Sequence, residues 1–116
     1  MVDDCVFCKI VRKEIPAKIV YDDKNFIGIL DINPKAEGHT VIICKKHYKN
    51  ILEMPASLGN ELVDAIKTVS LNLVNKKNGE GFNVVFNTEA VAGQSIFHVH
   101  CHIIPRKKSN GLHGIV

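Results

Sequence analysis

The sequence has no tryptophan, no long apolar run, no repeat, no low-complexity stretch and no visible linker. The longest apolar runs, such as Val41-Ile42-Ile43-Cys44, fall far short of the ~18 residues that a membrane-spanning helix needs. The N-terminus opens on Asp3 and Asp4, not on a basic region followed by an apolar stretch, so no secretory signal is visible and a cytoplasmic location, with nuclear entry by diffusion, is expected. Charge of one sign is also scarce. The formal net charge is +3, and the basic residues fall in short, interrupted groups: Lys9, Arg12 and Lys13; Lys45, Lys46 and Lys49; Arg106 to Lys108. These read as solvated surface, so neither nucleic acid nor membrane is expected as a partner. The 116 residues are sized for one domain, 1–116, and 46% hydrophobic content excludes global disorder. What the chain does have is histidine and cysteine, six of one and four of the other.

The local pattern predicts an α+β domain. Cys5 to Glu14 reads as a short helix with Val6, Phe7, Ile10 and Val11 on its apolar side, ended by Pro16. Ile19 to Tyr21 and Phe26 to Leu30 read as a hairpin around Asp22-Asp23-Lys24-Asn25, whose side chains bond their own backbone. His39 to Cys44 is a β-rich run. Leu58, Leu62, Ile66, Val69 and Leu73 recur at helical spacing after Pro55, with Asn78-Gly79 as the stop. Phe82 to Asn87 and Ile96 to Ile104 read as strands, with Thr88 to Gln94 as a loop between them. A loosely held tail is expected from about Arg106. About five antiparallel strands with one long helix leave one sheet face for a site or a partner.

The segment His98-Val99-His100-Cys101-His102-Ile103-Ile104 carries the chemistry. Strand side chains alternate, so His98, His100 and His102 are expected on one face, about 6.5–7 Å apart, with Val99, Cys101 and Ile103 on the core face. Three titratable rings on one face are costly as mere surface. Two functions remain: a metal site, or imidazole catalysis on a phosphate. The neutral donors of Gly93-Gln94-Ser95 and Asn87 favour phosphate.

This heptapeptide resembles the His-φ-His-φ-His-φ-φ pattern of the histidine triad family, with φ apolar. Phe7-Cys8-Lys9-Ile10, Glu14-Ile15-Pro16-Ala17, Leu30-Asp31-Ile32, Gly38-His39-Thr40, Lys46-His47, Asn87 and Gly93-Gln94-Ser95 resemble its Hint branch, so the likeness runs from about Cys5 to Pro105. The resemblance implies a five-stranded antiparallel sheet with one long and one short helix, paired as a homodimer with a continuous sheet. It implies a nucleotide-binding hydrolase cleaving the P–N bond of purine nucleoside 5'-phosphoramidates and releasing AMP or GMP through a nucleotidyl-histidine intermediate. His100 would be the nucleophile and His98 would orient it, with His39 in support. His102, Asn87, Gly93, Gln94 and Ser95 would hold phosphate. Asp31 would meet the ribose hydroxyls, and Phe7, Ile10, Ile29 and Ile32 would line the base pocket.

Cys5-Val6-Phe7-Cys8 alone leaves several readings open: a disulfide, a redox pair, half a zinc site or two buried thiols. A redox pair expects a strand–turn–helix context that is missing here. The resemblance implies a structural zinc ion held by Cys5, Cys8, His47 and His98, which would leave His98 unable to touch phosphate. Cys44 and Cys101 read as strand interior, and His113 as surface. The tail departs from animal Hint proteins, whose ends carry tryptophan, and Pro105-Arg106 looks more like microbial members. The alternatives are a Fhit-like dinucleoside polyphosphate hydrolase and a nucleotide-binding regulator with little turnover.

Overall fold

The computed structural model describes residues 4–76 and 79–111. Asn78, His113 and the end of the tail lie outside the described residues. The elements are helix α1 (Val6–Val11), strands β1 (Ile19–Asp22), β2 (Phe26–Leu30) and β3 (Thr40–Cys44), helix α2 (Gly59–Asn75), and strands β4 (Gly81–Val85) and β5 (His100–Arg106). The five strands form one antiparallel sheet in the order β1-β2-β3-β5-β4. Short 3₁₀ turns span Ala56–Leu58, Ala90–Ala92 and Lys108–Asn110.

The two sheet faces are used differently. Phe26, Ile42, Cys44, Cys101 and Ile103 pack against Leu62, Ala65, Val69 and Leu73 of α2. Ile27, Ile29, Val41 and Ile43 face the other way and pack against Phe7 and Ile10 of α1. That second face is only partly covered, because α1 is six residues long. His100 and His102 alternate with Cys101 and Ile103 along β5, so both rings lie on the partly covered side.

Several boundaries differ from the sequence expectation. α1 ends at Val11, ahead of Pro16, where Lys13 takes φ 64°, a left-handed turn that stops the helix without proline. β5 starts at His100 rather than at residue 96. The amide of Val99 donates to the carbonyl of Tyr48 at 2.7 Å, which takes the chain off the sheet before His98. β5 also continues through Pro105 to Arg106. Glu80 N–H bonds the Arg106 carbonyl, so the groups of Arg106 face β4 and those of Pro105 face the side where β3 has already ended. Arg106 Nε donates to Asn83 Oδ1 at 2.9 Å. Gly79 is needed for close approach: an added Cβ would lie 2.8 Å from the Gly81 carbonyl and 3.0 Å from the Arg106 backbone. The Asp22–Asn25 turn forms as expected, with Asp23 Oδ1 accepting from the amides of Asn25 and Phe26. No described helix is long and apolar enough to cross a membrane.

Candidate active site and metal centre

α1 brings two thiols onto the sheet. Cys5 caps the helix, its sulfur accepting from the Cys8 amide at 3.4 Å. Its Sγ lies 3.3 Å from His98 Nδ1; Cys8 Sγ lies 3.5 Å from His98 Nδ1 and 3.4 Å from His47 Nδ1; the two imidazole nitrogens are 3.2 Å apart. A tetrahedral zinc ion with ordinary Zn–S and Zn–N bonds sets ligand-to-ligand edges of roughly 3.3–3.8 Å. The four cysteines are free thiols, which removes the disulfide reading of Cys5 and Cys8.

The tautomer of His98 agrees. Its Nε2 donates to the Cys44 carbonyl at 2.6 Å. A carbonyl only accepts, so the proton sits on Nε2 and the lone pair on Nδ1 faces the sulfurs. Burial holds this imidazole down at about 4, so it stays neutral, as a ligand must be. Cys5, Cys8, His47 and His98 therefore form a closed S₂N₂ set that fits a structural zinc ion. His98 is fully buried, so it does not stand in the open row with the other two triad histidines.

One residue pair on, His100 Nδ1 donates to the backbone carbonyl of His98 at 2.7 Å. That bond places the proton of neutral His100 on Nδ1 and leaves the lone pair on Nε2. Burial pushes its basicity below the usual histidine value, as it does for His39 and His102. Phe7 packs edge-on against His100 with centroids 4.9 Å apart, and the His102 ring lies 5.3 Å away. A neutral, immobilised imidazole with a free Nε2 is a nucleophile.

The loop before β5 divides its donors. Gln94 is 4% exposed, and its side chain bonds Glu89 N, Lys49 O and Ile96 O. The Gln94 and Gly93 amides bond Glu89 and Ala90 carbonyls. These two residues build the loop and have little left for a ligand. Gly93 takes φ 94° and packs beside the Asn87 side chain. Among the described residues, neither the Asn87 amide nor Ser95 has a hydrogen-bond partner, so their donors remain available. Asp31 lies beside the histidines, its Oδ2 3.4 Å from His39 Nε2 and 3.8 Å from His102 Nδ1. Phe7, Ile10 and Ile29 are buried in the core under α1, while Ile32 is 91% exposed.

Two contributions carry no sequence signal. The carbonyls of Cys44 and His98 set two tautomers, and any residue has a carbonyl. The contact of Phe7 with His100 follows from the docking of α1.

The chain matches the HIT domain family over residues 12–109. It belongs to the histidine triad family. It is 47% identical over 109 residues to an uncharacterized HIT-like protein of Methanocaldococcus jannaschii, covering 92% of this chain and 82% of that one. It is 43% identical to an adenylylsulfatase of Arabidopsis thaliana, over 95% of this chain and 56% of that protein, and 36% identical to an adenosine 5'-monophosphoramidase of Candida albicans, over 89% and 70%. A crystal structure of a zinc-bound histidine triad family protein from Mycobacterium smegmatis superimposes with a TM-score of 0.88 at 33% identity, over 96% and 81% of the two chains. The five-stranded antiparallel sheet with one long and one short helix expected from the resemblance is observed, with α1 shorter than its sequence pattern suggests.

Proposed function

We propose that the chain is a nucleotide hydrolase that cleaves purine nucleoside 5'-phosphoramidates at the P–N bond. The observation that carries this reading is the hydrogen bond from His100 Nδ1 to His98 O, which leaves Nε2 unprotonated with the His102 ring 5.3 Å away; Asn87, Ser95 and His102 would hold the phosphate. In this reading His100 Nε2 attacks the α-phosphorus. An N–P bond forms as the P–N bond to the leaving amine breaks, and the amine departs carrying a proton. Water then displaces His100 and releases AMP or GMP. Splitting one displacement into two lowers each barrier. Asp31 meets the ribose hydroxyls, and Phe7, Ile10, Ile29 and Ile32 line the base pocket. Apolar contact discriminates weakly between purines. Zinc, when bound, pins α1 to the sheet and holds His98; it stays apart from the phosphorus chemistry.

A homodimer fits the same reading. β4 is an edge strand with Phe82 and Val84 exposed, an edge suited to continuing the sheet into a second copy. Free thiols in the metal set suit a reducing, cytoplasmic compartment.

The test compares the protein and His100→Ala on an adenosine phosphoramidate, adenylyl sulfate and a diadenosine polyphosphate. A phosphoramidase rate that His100→Ala abolishes supports the proposal. Rapid cleavage of the polyphosphate alone points to the Fhit-like alternative, and tight AMP binding with no turnover points to a regulator.

A further inference from the structure

We propose that the loop from Asp31 to Gly38 sets the tautomer of the phosphate-facing His102, with the backbone amide of Lys35 as the positioning group. The functional side of the inference rests on the reading of His102 as a phosphate donor; the tautomer itself does not.

The Lys35 N–H donates to His39 Nδ1 at 3.0 Å. An N–H cannot accept, so Nδ1 is the acceptor and neutral His39 carries its proton on Nε2. Two acceptors face that proton. His102 Nδ1 lies at 2.9 Å and Asp31 Oδ2 at 3.4 Å. The first distance is within the ordinary range for a ring N–H and the second is beyond it, so His102 receives the bond. His102 then accepts on Nδ1 and holds its own proton on Nε2. A phosphate oxygen approaching Nε2 meets a donor. In the opposite tautomer it would meet a lone pair, which repels an anion.

The loop is built to hold this order. Asp31 Oδ1 accepts from the Asn33 amide at 2.8 Å, the Asp31 amide bonds the His39 carbonyl at 2.9 Å, and the His39 amide bonds the Ala36 carbonyl at 3.0 Å. His39 is 3% exposed, so water does not compete for its ring nitrogens. The same order works against a metal ion at Asp31, His39 and His102, whose ligand atoms cluster within 4.8 Å. His39 Nε2 bears a proton where a metal needs a lone pair. His98 is the same tautomer with the ring turned: its Nε2–H meets the Cys44 carbonyl and its Nδ1 lone pair faces the metal set.

The experiment is ¹⁵N NMR of ring nitrogens in the zinc-loaded protein, with steady-state kinetics on an adenosine phosphoramidate. The expected tautomers are Nε2–H for both His39 and His102. Lys35→Ala keeps the amide and should leave both tautomers unchanged. Lys35→Pro deletes the amide; it should mix the His39 and His102 tautomers and lower kcat about tenfold or more, with KM within about threefold. If Lys35→Pro does not fold, His39 variants supply the test. His39→Gln presents a side-chain amide donor at the position of Nε2 and should stay within about tenfold of wild type, while His39→Leu should lose about a hundredfold. Nδ1–H on either histidine in the native protein, or equal losses in His39→Gln and His39→Leu, would overturn the proposal. Should the native tautomers be as stated in a protein that hydrolyses no nucleotide, the tautomer assignment stands and the hydrolase reading falls.

Discussion

His98 joins the metal-binding set to His100 through two ends of one residue: its Nδ1 faces Cys5, Cys8 and His47, and its carbonyl oxygen holds His100 Nδ1 at 2.7 Å. Movement of this set therefore moves the hydrogen bond that fixes the His100 ring.

Chelating the zinc should lower both stability and rate. A ligand bound only by the folded state contributes about 4 kcal/mol when its free concentration is 1,000 times its dissociation constant. Calorimetry of protein of known zinc content should show the loss and its reversal on adding zinc back. An unchanged melting temperature at zero zinc would show that the cluster holds no structural ion.

Phe7→Ala should cost about 3–5 kcal/mol, because Phe7 is 7% exposed and wedged against Ile27 and Ile43 as well as the His98 and His100 rings. Its effect on kcat should exceed its effect on AMP affinity, since the ring that slackens is the proposed nucleophile, His100. Denaturant titration and kinetics together separate the two.

The pH dependence has a definite sign. Burial depresses the basicity of His39, His100 and His102, so all three are neutral at pH 7. The unfolded chain takes up protons near 6.5 while the folded chain does not until lower pH. Stability is therefore full above 6.5 and falls as pH drops below it, by about 1.4 kcal/mol per unit for each histidine still neutral in the fold. The acid limb of kcat/KM should lie below 6.5, where His100 Nε2 becomes protonated. A rate that rises on acidification through this range would exclude His100 as the nucleophile.

Gly93→Ala and Gln94→Ala should fail for different reasons. At Gly93 a Cβ meets Asn87 only at an ordinary 3.7 Å, so the cost, about 1 kcal/mol or more, comes from φ 94°. Gln94→Ala removes three loop bonds and leaves buried groups unpaired, for about 2–3 kcal/mol. Both should raise KM for the nucleotide by displacing Asn87 and Ser95. Unfolding curves and KM values on the pair test this.

Legibility in the sequence tracks how local the determining force is. The β1–β2 hairpin is legible because Asp23 carries the acceptors for its own turn. α2 is legible because one apolar stripe must face one sheet. The start of β5 is not, because alternation continues back to Ile96 while Tyr48, distant in sequence, captures the Val99 amide. The exposed sides of Phe82 and Val84 are likewise invisible to alternation, since β4 lies at the sheet edge.

By itself the sequence determined the family, the sheet-and-helix class, and the residue types of the triad and the C-x-x-C pair, because these depend on order and period along the chain. The tertiary structure decided the surroundings of each histidine. It buried His98 among two sulfurs and an imidazole, left His100 half-buried beside Phe7, and spent Gln94 on its own loop. It also placed each ring proton. Imidazole is the same group at all three positions, and its role depends on which carbonyl, amide or sulfur the fold brings within 3.5 Å.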